Sequence, residues 1–283
     1  MSAPSDVAFT TTIHHDTYPA IAKASHAGHT VFISGASKGI GRATALSFAK
    51  AGVKNLVIAA RSNLDEVERD ILAVSNTNVL KIQLDVTSKE SIQAAADRVA
   101  AEFGTLDVLV NNAGILNPFQ PVAESDPTKW WDTYNVNLHG LYLVTRAFVP
   151  LLLRGSAKAI VNVASIGGIR TAPGGSAYQL SKTTVIRFTE YLNVEYKDHG
   201  LCSYAIHPGA VKSDLASNLP SFIPQSSLID TPELPADTIS WLTQEPHSWL
   251  SGRYFSVNWD MEELFSKKDE IVSQDKLRLK LVV

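Results

Sequence analysis

At 283 residues, with 45% hydrophobic and 19% charged side chains, the chain can bury a substantial core and suits a soluble protein. A formal net charge of -3 supplies no basic face for nucleic acid or an anionic membrane. The single cysteine, Cys202, excludes an internal disulfide, and no apolar run reaches the roughly 20 residues of a membrane helix.

The lead-in, residues 1–28, is polar and lacks an apolar core segment, so it is not a secretory signal. With no N-glycosylation acceptor and no lipidation signal, the expected setting is the reducing cytoplasm. His14, His15 and Asp16 stand together here, without further ligands that would make a metal site; they read as a solvated pair. Short β-branched runs then alternate with longer amphipathic ones. The expected strands are 29–35, 55–60, 79–86, 106–112, 159–165, 203–208 and 254–258. Several are apolar at nearly every position, as in a parallel sheet covered on both faces. The alternation predicts right-handed βαβ units in one α/β, doubly wound domain over 29–260. Cys202 falls in an apolar stretch and reads as a small buried hydrophobe. Trp130 and Trp131 read as helix anchors, and His139 and His207 as packing or loop hydrogen-bonding residues. Residues 210–236 carry Pro220, Pro224, Pro232 and Pro235 among apolar side chains, which predicts an irregular flap. Beyond it, 261–283 is an extension with a short helix-like segment and "KLRLKLVV", read as a strand arm or a docked tail.

The first strand runs into "SGASKGIGRA", residues 34–43. Gly35, Gly39 and Gly41 allow a sharp turn and close backbone approach, and the helix that follows offers free N–H groups to a phosphate. With Ser37, Lys38 and Ile40 this turn is the expected dinucleotide cradle. After the second strand stands Ala60-Arg61, where an NAD site would place an acid on the ribose hydroxyls. With no carboxylate there and two cations, Arg61 and Lys38, to meet a 2′-phosphate, NADP(H) is expected over NAD(H). Asp85 and Val86 end the third strand, where the carboxylate can accept from an adenine amino group or form a turn. In "NNAG", Asn111 or Asn112 can bridge strands, while Ala113 and Gly114 leave room for the cofactor. Pro208 and Gly209 bend the backbone after the sixth strand, where Val211 N–H and O can face a nicotinamide amide and Ser213 can hydrogen-bond.

In "SAYQLSK", Tyr178 and Lys182 are four apart and share one helix face. A phenol titrates near pH 10, and a neighbouring ammonium favours its ionised form. Ser165, ending the fifth strand, can hydrogen-bond a substrate oxygen as charge develops on it.

The ordered set "SGASKGIG", "NNAG", Asn137 in "NVNLHG", Ser165, "YQLSK" and "HPG" resembles the short-chain dehydrogenase/reductase family in its single-domain form, over roughly residues 29–260. Ser34 stands where that family usually has threonine, and Ser213 likewise. The resemblance implies a Rossmann-type sheet of seven parallel strands in the order 3-2-1-4-5-6-7. It also implies a catalytic set of Asn137, Ser165, Tyr178 and Lys182, with Asn137 holding a proton-relay water and Lys182 reaching the nicotinamide ribose. The expected reaction interconverts a ketone or aldehyde and an alcohol without a metal. The apolar flap points to a lipophilic or natural-product substrate, and the family to a homodimer or homotetramer. Competing readings are a non-redox NADP-dependent isomerase or cyclase, and a protein that senses NADP without catalysis.

Overall fold

Seven aliphatic runs form one parallel sheet in the computed structural model, which describes residues 8–281. The strands are β1 (Thr30–Ser34), β2 (Asn55–Ala60), β3 (Asn78–Gln83), β4 (Val108–Asn111), β5 (Ala159–Val163), β6 (Cys202–His207) and β7 (Arg253–Ser256). Their order is 3-2-1-4-5-6-7, as expected. β1, β4 and β5 are buried along their whole length because helices cover both faces of the sheet. On one side α1 (Gly39–Lys50) lies between α2 (Asp65–Val74) and α7 (Glu233–Thr243). On the other, α3 (Lys89–Phe103) packs on α5 (Leu141–Leu152), and α6 (Ser176–Tyr196) lies along β6. Cys202 is buried in the first of these two cores.

β1 pairs with β2 on one side and β4 on the other, so the winding reverses beside it. Open α/β sheets form a ligand crevice at the carboxyl ends of the strands flanking such a reversal. Asn111 ties this region together: its Nδ2 donates to Asn162 Oδ1 on β5 and to Thr145 on α5, and Asn162 donates on to Thr189 of α6. Asn112 Nδ2 donates back to the carbonyls of Ser34 and Gly35. Both asparagines therefore bridge.

α4 (Pro127–Tyr134) begins with proline in its first turn and Asp126 as its cap. Trp130 donates to Ser176 at the start of α6 and so anchors α4, whereas Trp131 is largely exposed. Residues Asn135–Gly140 continue as a π-helical turn into α5, and Gly140 lets that turn approach the Val86 carbonyl, which an added Cβ would meet at 2.8 Å.

Three expectations are corrected by packing that residue type does not announce. The third strand ends at Gln83 rather than residue 86, because Asp85 starts a turn by accepting from Thr87 N. The flap does not stay irregular to residue 236. Pro232 is the N-cap of α7 and Pro235 sits in its first turn, where the missing N–H breaks no helical bond. His14 and His15 are not a free solvated pair, since both are engaged by carboxylates although His15 stays about half exposed. His14 Nε2 is 2.8 Å from Asp260 Oδ2 and stacks on Tyr18, and His15 Nδ1 is 2.5 Å from Asp230 Oδ1. These contacts belong to a segment, residues 9–18, that docks by backbone bonds on the turn after β7 and on the flap. Of the two readings left open for the terminal segment, residues 276–281 follow the docked tail, without strand pairing. The Leu277 carbonyl accepts from Tyr254 N, and Arg187 donates to the Leu279 carbonyl. Val282 and Val283 lie outside the described residues. α8 (Met261–Ser266) and α9 (Lys268–Ser273) connect β7 to that tail.

Candidate active site

The glycine turn, the ends of β4, β5 and β6, the flap and the docked segment surround a single cavity of about 1740 Å³. Pockets for one drug-sized ligand run to roughly 300–1,000 Å³, so this one has room for two ligands side by side. Gly35 and Gly39 hold positive φ of 67° and 54° at its floor, and a Cβ on Gly41 would lie 2.3 Å from the Gly35 carbonyl oxygen. The turn therefore needs glycine at all three positions. Lys38, the N-cap of α1, makes no side-chain cap, so the helix presents uncapped N–H groups to the cavity it lines.

At the glycine-turn end, Ser37, Lys38, Ile40, Ala60 and Arg61 line the wall, and the Ser62 hydroxyl donates to Ser37 Oγ at 2.9 Å. Arg61 makes no close ion pair among the described residues, and the carboxylate that feels its charge is Asp85, just past the end of the next strand. Lys38 is not a second free cation, because its Nζ is bonded to Asp214 at the start of the flap. Asp85 does not line the cavity; its Oδ1 accepts from Thr87 N and Oγ1, which hold its carboxyl below the usual range. The turn-forming alternative describes this residue. Val86, Asn112, Ala113 and Gly114 do line the cavity, as do Pro208, Gly209, Val211 and Ser213 opposite them.

The proton-handling residues converge where β4, β5 and α6 meet. The Tyr178 phenol is hydrogen-bonded to Ser165, whose Oγ also accepts from Gly167 N. One helical turn on, Lys182 Nζ donates to the Val163 carbonyl at 2.7 Å and lies 5.7 Å from the Tyr178 ring centroid. Burial pushes the ammonium down to about 8. It also pushes the Tyr178 phenol up, and the bond to Ser165 opposes that only in part. Desolvation therefore raises the phenol where a lowering by Lys182 is expected, and burial favours its protonated, donating form. Asn137 lies within the π-turn, behind Gly114. Its Oδ1 accepts from Ile115 N and its Nδ2 donates to the Ile115 carbonyl and Ser181 Oγ. Its side chain is fully engaged in holding the chain after β4. Gly41, like Asn137, supports the wall without lining it.

Several lining residues escaped the sequence reading. Arg170, His207, Tyr254, Asp230 and His15 face the same cavity from five separate parts of the chain. Only His207 carried a signal, standing directly before Pro208-Gly209 at a strand end. It packs at the end of β6 as expected but also lines the cavity, and its Nδ1 makes no hydrogen bond among the described residues. Among the described residues no cluster of histidine, cysteine and carboxylates could hold a metal ion.

A family model described as short chain dehydrogenase matches residues 29–223. The chain is 51% identical over the full length of both proteins to a short chain dehydrogenase, mpl6, of Monascus purpureus. To another, pigC of Monascus ruber, it is 46% identical, over all of this chain and 96% of the relative. A solved 3-ketoacyl-ACP reductase from Sinorhizobium meliloti 1021 is 28% identical with a TM-score of 0.71, covering 81% of this chain and 98% of that one.

Proposed function

The chain belongs to the short-chain dehydrogenase family of oxidoreductases, and from that premise we propose that it interconverts a ketone or aldehyde and an alcohol with NADP(H). The observation that carries the proposal is Tyr178, hydrogen-bonded to Ser165 beside the Lys182 ammonium, in a cavity with room for a dinucleotide and a second ligand. The glycine turn and uncapped start of α1 suit a pyrophosphate. A reduced nicotinamide, when bound, supplies the hydride. Tyr178 gives its phenolic proton to the carbonyl oxygen, and Ser165 donates a hydrogen bond to the same atom as negative charge builds there. Lys182 orients the nicotinamide ribose and, while charged, stabilises the phenolate left behind. Asn137 is a positioning residue that fixes Ile115 and the wall next to Lys182. In the reverse direction Tyr178 takes the proton as a base. Residues 29–260 carry these functions.

Arg61, next to Ala60 and opposed among the described residues only by the more distant charge of Asp85, favours NADP(H); Lys38 contributes less because Asp214 holds it. Replacing Ala60→Asp together with Arg61→Ala is expected to lower the NADPH-over-NADH preference about 10- to 100-fold, the worth of one charge-assisted hydrogen bond. An unchanged ratio overturns that assignment. Leu116, Leu219, Phe222 and Ile223 line the cavity and favour a lipophilic substrate. The 3-ketoacyl-ACP reductase is named for reducing a carbonyl, in keeping with this reaction. The central test is Tyr178→Phe: NADPH still binds while carbonyl-dependent NADPH oxidation falls by at least about 1,000-fold, as for loss of an acid and its hydrogen bonds together. Turnover close to wild type removes the mechanism.

A further inference from the structure

His207 ends β6 and lines the cavity on the wall formed with Asp230, Arg170 and Tyr254. One ring nitrogen, Nδ1, is enclosed and has no hydrogen-bond partner among the described residues; Nε2 is not enclosed in that way, and the residue lines the cavity. The nearest carboxylate does not serve it. Asp230 Oδ1 meets His15, and Oδ2 accepts from Ala210 N and from Asn258 Nδ2 at 2.9 Å.

Where the proton sits follows from that enclosure. An N–H shut in without an acceptor costs more than an enclosed lone pair that accepts nothing, so the single proton belongs on the outward nitrogen. A second proton would have to enter the enclosed position, and burial together with the Arg170 cation lowers the affinity for it to about 4, against an opposing pull from Asp230. His207 is thus a neutral ring that offers the cavity one N–H donor and no acceptor.

Ile169, Phe222 and Leu228 also line the cavity, interspersed with polar residues such as Ser226 and Ser227. A ligand lying there without an acceptor atom strands the donor, whereas one with a suitably placed oxygen satisfies it. We infer that His207 orients the substrate by donating to a second oxygen atom, so that the preferred carbonyl compounds are apolar and oxygenated at two positions, one reacting and one held. This deepens the proposed carbonyl chemistry and rests on it for the identity of the reacting oxygen. A site built to donate to a ligand oxygen discriminates strongly against the analogue that lacks it, because the donor is then left unpaired.

The test is a binding comparison, independent of turnover. The full chain saturated with NADP+ is titrated calorimetrically with α-tetralone and with each of its ring-hydroxylated isomers, and with an alkyl methyl ketone and the matching β-diketone. At least one doubly oxygenated ligand is expected to bind about tenfold more tightly than its parent. In His207→Leu that advantage is expected to fall within about twofold, and in His207→Gln, which restores a donor, to return in part. NADP+ affinity should stay the same in both. Should the leucine variant fail to fold by circular dichroism, His207→Phe, which keeps the ring shape, takes its place. No ligand preferring the wild type over its parent, or a preference that survives loss of the donor, overturns the inference. Absence of NADPH oxidation with every ketone would instead remove the proposed reaction and leave the binding result standing.

Discussion

Lys182 and Tyr178 show how burial decides proton positions before any ligand contributes. With the ammonium lowered to about 8 and the phenol raised, Lys182 loses its charge as pH rises while Tyr178 still holds its proton. Carbonyl reduction should therefore be level below that value and decline above it. In Lys182→Arg, whose guanidinium stays charged, overall rates drop but the decline near pH 8 should vanish from the kcat/KM profile. A decline that persists unmoved assigns it to another group. His26 makes a stability statement of the same kind. Its Nε2 donates to the Ser240 carbonyl and its Nδ1 faces His29 Nδ1 at 3.0 Å, so both nitrogens are committed in the neutral ring. Burial lowers it from 6.5 to about 4. The unfolded chain then binds more protons between those values, and this contribution is complete above about 6.5 and lost as pH falls toward 4. At about 1.4 kcal/mol per pH unit its upper bound is roughly 3 kcal/mol. Denaturant melts across that window should lose stability less steeply in His26→Leu than in the wild type; equal slopes exclude His26 as the source. Tyr178, Lys182 and Ser165 were legible because spacing and strand ends bring them together locally. The outward N–H of His207 was not, since its meaning depends on Asp230 being saturated by His15 and Asn258.

The elements divide in the same way. β1, β4 and β5 could be read from continuous apolar runs, because a strand covered on both faces has no other way to be written. The glycine turn was legible for a related reason: with the Gly35 carbonyl 2.3 Å from a Cβ on Gly41, no other residue fits. Gly41→Ala is expected to cost roughly 1–3 kcal/mol by overpacking and to abolish dinucleotide binding, measured by denaturant melts and by NADPH fluorescence. Retained binding would show that the turn can relax. α7 was missed because prolines mark breaks in most contexts, and only its first turn excuses Pro235. The docking of residues 9–18 was hidden because its partners, Asp230 and Asp260, are more than 200 positions away. That distance permits a sharp check. Asp230→Ala removes the acceptor shared by His15, Ala210 N and Asn258, so amide exchange should rise together in residues 9–18 and in the flap. A rise confined to the flap would show that the segment docks without it.

At the scale of the whole molecule, α6 turns one face to the active site and another outward. Leu180, Tyr191 and Val194 fall on one side of this 21-residue helix and are 48%, 57% and 63% exposed. The family resemblance implies a homodimer or homotetramer, and this stripe is where such an assembly would bury apolar surface. Native mass measurement is expected to give a multiple of the 30.7 kDa chain, reduced to the single chain in Tyr191→Glu with Val194→Glu; a single chain in the wild type excludes it. No helix among the described residues is long and apolar enough to cross a membrane. The docked segment also orders events during synthesis. Thr11 N bonds to Glu263 Oε1, and Asp260 N to Thr10 Oγ1, across 252 and 250 positions. Residues 9–18 therefore leave the ribosome long before their partners are translated. One wall of the cavity can close only after α8 has emerged, so a nascent chain halted before that helix would carry the glycine turn and catalytic tyrosine in a cleft still open to solvent on that side.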